Sequence, residues 1–370
     1  MLYSFLAPLQ AGYAGYGSLT YIVFRAFLAA LTAFLVSAIA GRRIIGWLQR
    51  HRVGERTSAT PIEDENLRAQ IGGKEGTPTM GGVIFLAGLI AACLLWGDLR
   101  SLYLHLTLFC VLSLSLLGMV DDWGKLTGKS QGQRGLRPGQ KLLVQGLVGL
   151  IAAIVLSRYY TAAQWRTGLS IFVPIGHRPA LYVGGLFLCW VPLVLATTSN
   201  ATNITDGMDG LMAGLAILGA LALGAVAYCT GRVDFSEYLG IPYVAGAGEL
   251  TIFCAAMAGA CLGFLWWNSY PAQVFMGDTG ALAVGAGLGM TAILIKMEML
   301  LPFCCAIFLI EFGSSLLQIG WFRFTGKRIL PIAPIHHLFQ MRNWAEPKIV
   351  TRFYIAGAIF ALFGLSLLKL

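Results

Sequence analysis

Ten apolar runs, candidates for crossing a lipid bilayer although several run short at 16 or 17 residues, decide what this chain can fold into. Crossing ~30 Å of hydrocarbon as a helix takes about 20 residues. The runs extend roughly from Tyr21 to Trp47, Met80 to Trp96, Leu102 to Val120, Lys141 to Leu156, Leu181 to Thr197, Leu211 to Cys229, Leu250 to Trp266, Gly280 to Ile295, Leu300 to Phe322 and Phe353 to Leu368. Composition agrees: 57% of residues are hydrophobic and 12% charged, with a mean hydropathy of +0.73, against about half and a quarter in soluble domains. The pattern predicts an all-α integral membrane protein of about ten transmembrane helices, a single polytopic domain over residues 1–370.

The first positive charge, Arg25, falls inside the first run rather than before it, so that run is expected to be a span and not a cleaved leader. The eight cysteines lie in or beside apolar segments without a CxxC pair, which fits packing residues rather than a disulfide frame or zinc site. Lys and Arg set the orientation, because cytoplasmic loops retain positive charge. The loops after the first, third and ninth runs hold 18 of the 26 basic residues, which predicts both termini on the outer side. The net charge of +9 is explained by anionic lipid headgroups; no basic stripe interleaved with aromatics points to nucleic acid.

Five polar stretches interrupt this pattern: GGKEGTPTMGG (Gly72 to Gly82), DDWGK (Asp121 to Lys125), TSNATNITDGMDG (Thr198 to Gly210), WWNSYPAQVFMGDTG (Trp266 to Gly280) and PIAPIHHLFQ (Pro331 to Gln340). The predicted topology puts all five on the cytoplasmic face, and the outer loops hold nothing comparable. This convergence points to a cytoplasmic-face active site.

Each stretch also has a local reading. Asp121 and Asp122 sit where a helix should end, and the negative end of the helix dipole disfavours them unless a positive group offsets it. Lys125, three and four residues on, supplies one such group. A helix sets adjacent side chains ~100° apart, so one carboxylate is free to bind a metal while the other meets substrate or Lys125. Asn200, Asn203, Asp206 and Asp209 recur every third residue and share a face if that segment is helical; N-capping is the alternative. Asp278 either caps the next span or joins the glycines Gly277 and Gly280 in a phosphate-holding turn. His336 and His337 suit a solvated loop or a phosphate. Lys74, Lys125 and Lys129 are either lipid anchors or phosphate partners. Carboxylates at this density favour a hard cation over zinc, and the inventory suits Mg2+ bridging phosphates while lysines clamp the remaining charge.

GTPTMGG, DDWGK, NITDGMDGL, LGFLWWNSYPAQVFMGDTGAL and APIHH resemble, in order, the signature blocks of the phospho-N-acetylmuramoyl-pentapeptide transferase family, within the polyprenyl-phosphate N-acetylhexosamine-1-phosphate transferase superfamily. The resemblance covers nearly the whole chain. It implies Mg2+-dependent transfer of phospho-MurNAc-pentapeptide from UDP-MurNAc-pentapeptide to undecaprenyl phosphate, giving lipid I and UMP, by a homodimer in the bacterial inner membrane. It also implies that Asp278 binds Mg2+ and that Asp121 and Asp122 line the same metal and phosphate site. Lys74, Asn203, Asp206, Asp209, Asn268 and Phe275 are implied to contact the nucleotide-sugar, Phe275 by stacking on uracil, and His336 and His337 to complete the site. The family commonly carries three consecutive histidines; here Leu338 follows His337.

Two other readings compete. A transferase that uses UDP-GlcNAc would share most blocks, and TPTMGG and PIHH favour the muramoyl-pentapeptide donor. A secondary transporter would place its polar groups near the bilayer midplane and show an internal repeat; here the polar groups gather at one face.

Overall fold

The computed structural model describes residues 21–51, 76–127, 135–173 and 179–369; Lys74 and Lys129 lie outside the described residues. The helices are α1 (Ile22–Arg50), α2 (Gly82–Trp96), α3 (Leu102–Thr127), α4 (Pro138–Ala162), α5 (Phe187–Thr205), α6 (Leu211–Thr230), the short α7 (Val233–Leu239), α8 (Gly248–Asn268), α9 (Gly277–Leu294), the short α10 (Leu301–Cys304), α11 (Ala306–Thr325), α12 (Ile335–Met341) and α13 (Glu346–Ser366). Eight of them, α1, α3, α4, α5, α6, α8, α9 and α13, are long and apolar enough to cross a membrane, and the bent pair α10 and α11 makes a ninth candidate.

The structure departs from the sequence expectation in three places. The run from Met80 yields α2 of only 15 residues, because Pro78 to Gly82 is used for loop pairing at its start. The run from Leu300 to Phe322 is not one straight helix. Pro302 lies in the first turn of α10, the backbone at Cys305 leaves the helical region (φ −121°, ψ 28°), and the chain bends by 88°. The run from Leu181 starts as a strand: β1 (Ser170–Phe172) pairs antiparallel with β2 (Pro179–Tyr182), so α5 begins only at Phe187.

Helix α9 is the axis of the bundle, with 94% of its apolar window buried. It packs against α2, α3, α5 and α6. Small residues make that possible: a Cβ on Gly285 would lie 2.3 Å from Thr202 Oγ1 and 2.4 Å from the Thr198 carbonyl oxygen of α5. Between apolar helices in lipid, such close approach replaces the hydrophobic drive available in water. The α5 hydroxyls are satisfied within the bundle, Thr198, Ser199, Thr202 and Thr205 donating to carbonyls one turn back and Thr202 also to Ala281 O at 2.8 Å. The outer helices instead expose large apolar side chains, among them Phe27, Leu31 and Leu35 on α1 and Ile355, Ile359 and Phe363 on α13. An apolar surface of this extent marks a lipid-facing, multi-pass membrane protein.

The two ends of the bundle differ in chemistry. At one, Arg25 grips Glu249 through two hydrogen bonds of 2.8 Å and also donates to Trp96 O, pinning α1, α2 and α8 together. The opposite end gathers the starts of α2, α6 and α9 and the ends of α3, α5 and α8. Gly285→Ala should destabilise the protein by about 1–3 kcal/mol, read as a lower melting temperature in detergent. Gly320→Ala, where a Cβ meets nothing within 4 Å, should not lower it, since Ala favours the helix over Gly.

Candidate active site

Asp121 and Asp122 lie in α3 about one turn before its end, and both are buried. Gly118, one turn earlier, explains how they reach α9. A Cβ there would sit 2.2 Å from Asp278 O, so only glycine lets the two backbones touch. The carboxylates then do different work. Asp122 reaches the start of α9, where its Oδ2 accepts from Thr279 N (3.0 Å) and Thr279 Oγ1 (2.7 Å) and its Oδ1 from Asp278 N (3.3 Å). It thereby supplies, from another helix, the capping that the N-terminus of α9 lacks from its own Met276. Gly277 (φ +71°) completes the turn, since a Cβ would fall 2.7 Å from Asp122 Oδ2.

This arrangement removes Asp278 from the capping role and turns its carboxylate toward cations. Its Oδ2 meets Lys141 Nζ at 2.5 Å, and its Oδ1 meets Lys125 Nζ at 3.2 Å and Asn203 Nδ2 at 2.9 Å. Asp121 Oδ2 meets both Lys125 Nζ and Lys141 Nζ at 2.8 Å, and its Oδ1 accepts from Leu136 N at 2.6 Å. Lys125 therefore pairs along its own helix, as its spacing suggests, while also bridging to Asp278. One carboxylate oxygen from each of Asp121, Asp122 and Asp278 falls within 4.8 Å of the others. Three carboxylates against two lysines leave one net negative charge in a buried cluster of hard oxygen donors, which fits a divalent cation of the magnesium type.

The loops around the cluster are locked by backbone pairing. Phe275 N donates to Pro78 O (2.8 Å), Gly81 N to Phe275 O (2.8 Å) and Gly82 N to Met276 O (2.9 Å). The TPTMGG stretch is thus fastened beside Asp278, with the Phe275 ring half-buried at its edge. Asn200 and Asn203 lie on α5, Asp206 caps its C-terminus, and the chain then turns through Gly207 to Gly210. The four polar residues do not share one helical face, because the helix ends at Thr205. Asp209 and Asn268 hold this turn: Asp209 Oδ2 accepts from Ala272 N (3.0 Å), and Asn268 takes Gly210 N on Oδ1 (3.0 Å) while donating to Val274 O (2.9 Å). Their side chains serve the loop framework, whereas Asp206 is partly accessible.

His336 and His337 open α12 with rings 4.2 Å apart. His336 is fully buried, its Nδ1 3.1 Å from Glu311 Oε2 and its Nε2 facing Gly207; His337 is partly exposed, its Nδ1 2.7 Å from Gln340 Oε1 in the same helix.

Sequence reasoning counted Lys141 only as a basic residue of a loop. Its position on the first turns of α4, opposite the end of α3, makes it a member of the cluster. Glu311 was missed as well, although an acid inside an apolar run is itself a signal. Thr279 and Glu346, which accepts Asp209 N at 2.7 Å, carried no signal beyond their neighbours.

At one end of a polytopic helical bundle, buried aspartates meet lysines that reach them from the surface, and residues 104–296 match the family described as Glycosyl transferase family 4, which makes the chain a membrane-embedded transferase. Residues 74–86 match signature 1 of phospho-N-acetylmuramoyl-pentapeptide-transferase, and a phospho-N-acetylmuramoyl-pentapeptide-transferase of Maricaulis maris (strain MCS10) is 40% identical over 372 residues, covering 100% of both chains. The chain belongs to the phospho-N-acetylmuramoyl-pentapeptide-transferase family.

Removing one cation from the cluster tests its charge balance. Lys141→Met should lower stability in chelator by about 1.5–3 kcal/mol, the value of a charge-assisted hydrogen bond. It should also enlarge the upward melting shift on adding Mg2+ relative to the unsubstituted protein; an equal or smaller shift would mean that the carboxylates do not take the ion.

Proposed function

We propose that the protein transfers phospho-MurNAc-pentapeptide from UDP-MurNAc-pentapeptide to undecaprenyl phosphate, giving lipid I and UMP, in the bacterial inner membrane. The observation that carries this reading is the Asp121, Asp122 and Asp278 cluster, shared with Lys125 and Lys141, directly beside the loop that bears the family signature. Ten spans, counting α2 and the bent α10–α11 pair, with both termini periplasmic, follow from the basic loops and from the gathering of polar loops at one end. A homodimer follows from the family resemblance, and a single domain over residues 1–370 from the series of apolar runs.

Asp278 and Asp121 would hold Mg2+, with Asp122 fixing the turn that presents Asp278. Held there, the ion would supply positive charge that offsets the diphosphate and the leaving UMP. Lys125 and Lys141 neutralise phosphate oxygens, and the family resemblance adds Lys74 to the residues that contact the nucleotide-sugar. Asn203 and Asp206 orient the nucleotide-sugar, Phe275 stacks on uracil, Asp209 and Asn268 keep the surrounding turn in place, and His336 and His337 close the site from α12. An oxygen of the acceptor phosphate attacks the sugar-linked β-phosphorus in line, a new P–O bond forms, and the bond to the α-phosphate oxygen breaks to release UMP.

Direct displacement is favoured over an aspartyl intermediate for two reasons. A phosphate near neutral pH is already anionic and needs positioning and neutralisation more than a protein nucleophile. Moreover, Asp121 and Asp278 are each engaged by two lysines, and a carboxylate so paired is a poorer nucleophile.

Purified protein given UDP-MurNAc-pentapeptide, undecaprenyl phosphate and Mg2+ should release UMP, and Asp278→Asn should lower kcat at least ~100-fold while the protein still elutes as the folded species. UMP release from UDP-GlcNAc alone would overturn the donor assignment. Phospho-sugar attached to the protein without acceptor would overturn direct displacement.

A further inference from the structure

On the side of α3 opposite the aspartates, an apolar cleft of about 610 Å³ opens between α1, the start of α2 and α3. Leu116, Val120 and Trp123 line it at helical spacing, and Gly118, Asp121 and Lys125 occupy the other face of the same helix. The cleft is therefore separate from the carboxylate cluster. Its α1 wall carries Arg43 and Trp47, and the buried Met80 joins the lining from the start of α2.

Three features say what fills it. The volume is that of a ligand pocket, yet the lining is hydrocarbon and indole with one charge, which suits a hydrocarbon chain and not a polar metabolite. Trp47 and Trp123 flank the mouth, 53% and 56% exposed, as tryptophans do at headgroup depth. Arg42, Arg43 and Arg50 crowd the last turns of α1, where no acidic residue stands, and Arg43 has no ion-pair partner among the described residues. An arginine in the lining of an apolar slot complements an anionic headgroup on an acyl chain. We infer that this cleft binds one acyl chain of an anionic phospholipid, with Arg43 on its phosphate. None of the three aspartates or two lysines of the cluster lines it, and the inference does not depend on the identity of the donor.

Native mass spectrometry of the full-length protein with phosphatidylglycerol or phosphatidylcholine of matched chains tests this. The unsubstituted protein should retain phosphatidylglycerol preferentially, Arg43→Gln should weaken retention roughly fivefold, and Val120→Trp, which fills the slot, should remove it. Arg43 is exposed, so its variant keeps the test valid if the filled one fails to fold. Equal retention of both lipids, or retention unaffected by Arg43→Gln, would overturn the inference. So would displacement of phosphatidylglycerol by stoichiometric undecaprenyl phosphate, which would make the cleft an acceptor-chain site.

Discussion

One carboxylate, that of Asp122, holds the site end of the molecule together. By accepting the N–H groups of Asp278 and Thr279, it joins the end of α3 to the start of α9 and meets two needs at once. The free donors at the N-terminus of α9 have no water to turn to inside the bundle, and a buried carboxylate must have donors. Each satisfies the other. The helix dipole adds to the match, because an anion at an N-terminus is favoured where the same anion at a C-terminus is not. The penalty of placing an aspartate near the end of α3 is offset across the interface by α9.

Once Asp122 is spent on backbone, Asp278 and Asp121 stand as neighbours with like charge. That is tolerable only because lysines arrive from two directions, Lys125 from α3 itself and Lys141 from α4. A site assembled from α3, α4, α5 and α9 cannot be moved by shifting one helix without unpairing charges in a low-dielectric setting. Glycines at Gly118 and Gly277 make this assembly sterically possible, so the chemistry of the cluster rests on positions that carry no chemistry.

The apolar runs were legible because a bilayer imposes length and composition on every span, and the aspartates were legible because ionisable groups beside such runs are costly. What the sequence could not reveal is partnership between helices. Asp278 and N-capping were compatible on paper; the cap turned out to be Asp122, 156 residues away. Lys141 looked like one more basic loop residue, since nothing local distinguishes a lysine facing lipid headgroups from one facing Asp121. The three-residue spacing of Asn200, Asn203, Asp206 and Asp209 suggested one face, but the backbone turns after Thr205 and sends Asp209 to hold Ala272. The break at Cys305 was hidden because an apolar run reads the same whether its helix is straight or bent.

The burial of α9 has a mechanical meaning. Only 28% of the α1 and α13 windows and 33% of the α4 window are buried, against 94% for α9, so a bilayer that thins or thickens does its work on the outer helices. Hydrophobic mismatch acts through tilt and local lipid deformation at fractions of a kcal/mol per Å, and α9 has almost no surface on which lipid can exert it. The helix that carries Asp278 is shielded from changes in membrane thickness by the helices it organises, as a spindle is shielded by its bearing.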